Sequence, residues 1–224
     1  MKDVESIRPA ALHIVAMLPR ADVRDRLVGA ASVAALSQGA RVGTSSPRRT
    51  AQLLRLRPDL NVQPIRGNVA TRLNKVSSSE VDATLLAAAG LDRLGIEVGT
   101  AIETSTMLPA PAQAAIGIEC RADDVMTSTL LAAINHLPTC RAVQAERAFA
   151  RATGGSCHSP VAVLALDQPD GRLWLRAELL SSDGRDHVGG EVFAEPGQET
   201  AAAEALAADL LGRAGPSIRL LFNP

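Results

Sequence analysis

Up to about residue 137, short apolar runs alternate with stretches of helical period; beyond it the pattern changes. Residues 10–18, AALHIVAML, are too short an apolar run to cross a membrane and suit a buried strand. RVGTSS (41–46) reads as a short strand and turn. Ser46 suits a helix N-cap, Pro47 fits the first helical position, and residues 48–57 continue as a helix that Pro58-Asp59 stops. NVQPIRG (61–67) is the next strand, and Asn68 can cap a helix running through Lys75. VDATLLAAA (81–89) is a buried strand, with LDRLG (91–95) turning away from it. This alternation predicts parallel strands joined by crossover helices. Ligands in such sheets bind at the carboxyl ends of the strands.

From about residue 138 the spacing predicts a small α+β domain. Residues 141–152 form a helix with a mixed face. Residues 161–195 then read as three antiparallel strands, with Asp170-Gly171 and Asp183-Gly184 supplying the turn chemistry. An amphipathic helix over 199–214 closes the chain.

Composition narrows the function. Hydrophobic content of 46% supports a real core, built from aliphatic residues because aromatics are only 2% and tyrosine is absent. Few aromatics argue against single-stranded nucleic acid, whose bases stack on such rings. The net charge of −1 argues against a general phosphate-backbone binder. Yet residues 41–75 hold eight basic side chains against the single acid Asp59, a local +7 that leaves −8 for the rest. The three cysteines, Cys120, Cys140 and Cys157, show no CxxC spacing, so neither a disulfide framework nor a metal site is expected. Acidic Asp3 and Glu5 ahead of AALHIVAML, and His13 within it, speak against a secretory leader; a cytoplasmic location is expected.

The basic stretch carries the chemistry. GTSSPRR (43–49) and RGNVATR (66–72) each have the form of a strand end entering a helix start. Backbone N–H groups face outward there and the helix dipole favours an anion. Arginines add directional donors for carboxylates or phosphates. A solvated helix face explains one such arginine; a cluster at two successive junctions favours anion binding. Cys157, in TGGSCHSPV (153–161), sits on a glycine-rich loop at a domain start. Chemistry alone leaves two readings open for it, a reactive thiol or an inert small hydrophobe. His158 beside it points the other way in an extended segment. Asp3, taken alone, reads as part of a charged terminus rather than as a catalytic carboxylate.

Together, MKDV (1–4), RADVRD (20–25), VGTSSPRR (42–49), RPDL (57–60), RGNVATRL (66–73), LLAAAGLDRLG (85–95), LPAPAQAAIGIECR (108–121), AERAF (145–149) and GGSCHSPVAV (154–163) resemble the porphobilinogen deaminases over nearly the whole chain. The resemblance implies a covalent dipyrromethane cofactor on Cys157, porphobilinogen as substrate, and a linear tetrapyrrole, hydroxymethylbilane, as product. It assigns Asp3 as the catalytic carboxylate, and Lys2, Thr44, Ser46, Arg48, Arg49, Arg66, Arg72 and Arg93 to the carboxylates of cofactor and substrate. Each pyrrole carries an acetate and a propionate, which accounts for the arginine density. The implied fold is α/β, with two periplasmic-binding-protein-like lobes, the first incomplete, plus a small C-terminal α+β domain with a three-stranded antiparallel sheet. Domain one is a remnant of residues 1–19 and 112–137, domain two is 20–111, and domain three is 138–224. No metal, nucleic acid or membrane partner is implied, and a monomer is expected.

The chain departs from the family pattern in two places. The family begins upstream of MKDV, with an arginine-serine motif, lysines and a phenylalanine lid on the same cleft. The expectation is therefore an open edge on residues 10–18 and negligible turnover by this polypeptide alone. Ala112 and Ala114 stand where glycines are common, which is expected to stiffen the crossing between domains. Two other readings accompany the enzyme: an inactive truncated member, and a non-catalytic anion-binding lobe, which would have no need of Cys157.

Overall fold

The computed structural model describes residues 1–5, 7–155 and 158–222. The chain forms β1 (Leu12–Met17) and then enters a five-stranded sheet through β2 (Asp25–Val28). That sheet also takes β3 (Arg41–Gly43), β4 (Asn61–Gln63), β5 (Ala83–Ala87) and β6 (Thr100–Ile102). Between the strands lie α1 (Pro47–Leu56), α2 (Val69–Ser77) and α3 (Ala88–Arg93). The strand order is β4-β3-β5-β2-β6.

β3 pairs in parallel with β4 and β5, as the strand–helix alternation predicts. β2 runs against both of its neighbours, so the sheet is mixed rather than all-parallel. The reason lies in its entry. The chain reaches β2 from outside the sheet, without a crossover helix to impose parallel pairing. α3 starts directly after β5, where the sequence predicted only a turn, and its N-terminus has no side-chain cap. Leu27, Val42, Leu53, Ala83, Leu85 and Ile102 form the core of this unit.

The chain returns at β7 (Gly117–Arg121), which pairs antiparallel with β1 in a two-stranded sheet. The expected open strand at 10–18 is thus covered on one edge by β7; among the described residues its other edge has no partner strand. α4 (Val125–Ala132) leads into the long α5 (Leu137–Ala152). β8 (Val161–Asp167), β9 (Leu173–Leu180) and β10 (His187–Ala194) then form an antiparallel sheet in the order β10-β9-β8. α6 (Glu199–Arg213) and the short α7 (Pro216–Arg219) complete the fold. Alternate residues of β8 and β9, such as Val161, Val163, Leu173 and Leu175, bury against Phe149 of α5 and Leu210 of α6.

Gly171 and Gly184 take φ of 85° and 69°, the turn conformations their Asp-Gly pairs predicted. Gly184 has a second role: a Cβ there would lie 2.1 Å from the Ala51 carbonyl, so only glycine lets this hairpin rest on α1. Ala112 and Ala114 adopt φ of 58° and 64°, the left-handed region that favours glycine. Among the described residues no helix is long and apolar enough to cross a membrane.

Candidate functional site

A cleft of about 550 Å³ opens between the N-terminal segment, the start of α1, the returning segment and the C-terminal half of α5. Lys2, Asp3, Ser46 and Arg48 line it together, although more than 40 residues separate the two pairs in sequence. Ala110–Ala112 of the returning segment and Arg147 of α5 complete the wall, and Gly155 and His158 reach it from the segment that follows α5. Cys157 itself lies outside the described residues.

Ser46 caps α1 as the sequence predicts, accepting from the Arg49 N–H, with Pro47 in the first turn. This start aims Arg48 and Arg49 inward, not at solvent: they are 3% and 6% exposed. Both converge on Asp25 of β2. Arg48 Nη2 donates to Asp25 Oδ2 at 2.9 Å and Arg49 Nη2 to Oδ1 at 2.7 Å. Gln113 Nε2 donates to the same carboxylate at 3.0 Å. Arg48 also reaches the Leu108 carbonyl, and Arg49 the Leu85 carbonyl. Burial by itself would raise the Asp25 pKa; the two guanidiniums overcome it and hold the carboxyl well below the usual carboxylate range.

Much of the basic stretch is engaged within the protein. Arg41 pairs with Asp82, Arg57 with Asp59, and Lys75 with Glu80. The local +7 is therefore not a free anion-binding field. Thr44 is buried and its hydroxyl accepts from the Ser46 N–H, so it shapes the turn. Arg72 donates to the Gly67 carbonyl; burial and nearby Arg49 hold its guanidinium below the usual arginine value. Lys2 is likewise held below the usual lysine value, by burial and then by Arg49. Arg66 and Arg93 are exposed and do not line the cleft.

Residues 1–129 match the family model "Porphobilinogen deaminase, dipyromethane cofactor binding domain", and residues 140–212 match "Porphobilinogen deaminase, C-terminal domain". The chain belongs to the porphobilinogen deaminase family. The porphobilinogen deaminase of Sphingopyxis alaskensis is 56% identical over 228 residues, covering 99% of this chain and 71% of that protein. That of Paracoccus denitrificans is 48% identical over 218 residues, covering 96% and 69%. Among solved structures, a periplasmic sulfonate-binding protein from Methylobacillus flagellatus aligns at 19% identity with a TM-score of 0.34, over 61% of this chain and 43% of that one. That likeness is too slight to carry the fold.

The deaminase family's dipyrromethane fits the donor set found here. Arg48 Nε and Arg49 Nε are buried without a hydrogen-bond partner among the described residues. Arg48 lines the cleft, and its unspent cationic donor suits a ligand bearing carboxylates.

Sequence reasoning missed Asp25, Gln113, Glu146 and Arg147. Asp25 left one sign: in the strand DRLV it shares the inward-facing register with Leu27, an odd place for an acid without a buried partner. Glu146 is fully buried and accepts from Arg20, from the Ala112 N–H and from the Ala165 N–H.

Proposed function

We infer that this cleft is where the chain performs its family's reaction. The function is hydroxymethylbilane synthesis, a transferase step of tetrapyrrole (haem) biosynthesis. Four porphobilinogens are deaminated and joined in sequence, and the linear product is released by hydrolysis. The dipyrromethane cofactor, when bound, supplies the primer to which the substrate units are joined.

The observation that carries the site reading is the grouping of Lys2, Asp3, Ser46 and Arg48 on one cleft, with buried unpartnered donors on Arg48 and Arg49. In this reading Arg48 and Arg49 hold acetate and propionate groups through charge-assisted hydrogen bonds. Lys2 and Ser46, which line the cleft, and Thr44, Arg66, Arg72 and Arg93, which do not, are assigned to the remaining carboxylates on the family resemblance. The Asp3 carboxylate stabilises positive charge on the substrate's pyrrole nitrogen as ammonia departs, and takes up the proton that must then leave the ring. Cys157 is the attachment point of the cofactor.

The wider reading has two periplasmic-binding-protein-like lobes around the cleft, 1–19 with 112–137 and 20–111, and a third domain over 138–224. The separate sheets β1–β7, β2–β6 and β8–β10 support this division. It also has the protein acting as a cytoplasmic monomer.

Intact-mass measurement of the purified protein tests the attachment point. Cys157→Ser is expected to remove a two-pyrrole adduct. An adduct that survives this change, or that maps to Cys120 or Cys140, overturns the assignment. Turnover of porphobilinogen by Asp3→Asn, measured on cofactor-loaded protein, tests the catalytic carboxylate.

A further inference from the structure

We propose that Arg147 is a positioning residue for deamination: from α5 it clamps the backbone after Asp3 and so sets where that carboxylate meets the substrate. The inference rests on the catalytic reading of Asp3 given above.

Arg147 is 7% exposed. It has no carboxylate in salt-bridge range among the described residues, which is an expensive arrangement for a buried cation. Both Nη atoms are instead committed to main-chain carbonyls. Nη1 donates to the Val4 carbonyl at 3.0 Å and Nη2 to the Glu5 carbonyl at 2.6 Å. These are the carbonyls of the two residues that directly follow Asp3. On the other side, the Val4 N–H donates to the Met1 carbonyl at 3.0 Å and closes a turn around Lys2 and Asp3. A planar guanidinium fork fixes two carbonyls at once, which an ammonium on a flexible stem does far less well. Burial, and then the neighbouring Arg151 and Arg8, hold the guanidinium below the usual arginine value. The side chain lines the cleft together with Asp3, and one donor on each Nη is taken by the backbone that follows Asp3.

The position of Arg147 on α5 adds a further link. Its neighbour Glu146 grips the returning segment at the Ala112 N–H. One turn of α5 therefore holds both the Asp3 turn and the crossing. Catalytic geometry is that sensitive: a misplacement of about 1 Å can cost on the order of 100-fold in rate.

The test is a double-mutant cycle on full-length, cofactor-loaded protein, with porphobilinogen as substrate. Arg147→Gln is expected to lower kcat about 10- to 100-fold with KM within about twofold, and Arg147→Lys to recover part of the loss. Cofactor loading by intact mass is expected to stay normal. In an Asp3→Asn background, Arg147→Gln is expected to change kcat less than about twofold, because its effect passes through Asp3. A raised KM at unchanged kcat means that Arg147 binds substrate directly and overturns the proposal. Lost melting temperature with normal kcat per loaded enzyme makes the residue structural and does the same. Additive effects in the cycle sink this proposal alone, whereas near-normal turnover by Asp3→Asn sinks the catalytic reading along with it. Should Arg147→Gln not fold, Arg147→Lys in the same cycle decides by the same criteria.

Discussion

Asp25 holds two buried guanidiniums, and its removal leaves both without a counter-charge. Breaking such a buried pair costs roughly 3–5 kcal/mol, so Asp25→Asn is expected to lower stability by about that much in urea unfolding at neutral pH. The pH dependence has a definite sign. The folded Asp25 carboxyl is held below its ordinary value, so its contribution is present above about pH 4 and is lost as pH falls toward the folded value. The gap between wild type and Asp25→Asn should therefore narrow by about 1 kcal/mol between pH 5 and pH 3. Arg66 is the opposite case, exposed and without a hydrogen-bond partner among the described residues. Arg66→Leu should leave the melting temperature unchanged while weakening substrate or cofactor binding about ten- to hundredfold, the worth of one charge-assisted hydrogen bond. A lower melting temperature with normal kinetics would make Arg66 structural. Arg48 and Arg49 combine both roles in the proposed reading, because their burial against Asp25 ties them to the core.

At the scale of elements, α1 and the returning segment decide the shape of the site. The Ser46 cap sets where α1 begins and so where Arg48 and Arg49 point. Ser46→Ala should cost about 1 kcal/mol and lower cofactor loading with it. In the returning segment, Ala114 at φ 64° carries backbone strain of roughly 1–2 kcal/mol that glycine avoids. Glycine's extra freedom in the unfolded chain offsets about 0.5–1 kcal/mol of that gain. Ala114→Gly should thus raise the melting temperature slightly in a thermal melt, and Ala114→Val should lower it. Ala112 gains less from the same change, since its methyl is buried in the small core with Met17 and Val143. Each non-glycine residue narrows the backbone range open to the segment, and on that ground a stiffer crossing is expected.

Across the whole molecule, Glu146 joins parts that are far apart in sequence. It accepts from Arg20 Nη1 at 2.7 Å and Nη2 at 2.9 Å, where β1 leads toward β2, and from Ala112 N–H at 2.7 Å and Ala165 N–H at 2.9 Å. Glu146→Ala leaves Arg20 nearly buried and unpaired and frees two buried N–H groups. The expected result is a loss of about 3–5 kcal/mol and a calorimetric unfolding profile that splits into separate transitions. A single transition, shifted but not broadened, would mean that the sheets are coupled through other contacts.

The chain by itself determined its family and the elements that carry local caps and turns. Ser46-Pro47, Asn68, Asp170-Gly171 and Asp183-Gly184 are local devices, and capping and turn chemistry act over a few residues, so each was readable in order. The motifs from MKDV to GGSCHSPVAV sufficed for the family. The direction of β2 was settled only by its route into the sheet. The partners of the arginines were also tertiary. Nothing near Arg48 or Arg49 in sequence announces Asp25, more than 20 residues away, or Gln113, more than 60 away. The same holds for Arg147 and the Asp3 turn, joined across more than 140 residues. Periodicity reports which face of an element is buried; which charge waits on the other side of that burial depends on how distant elements meet, and that is decided only when the whole chain packs.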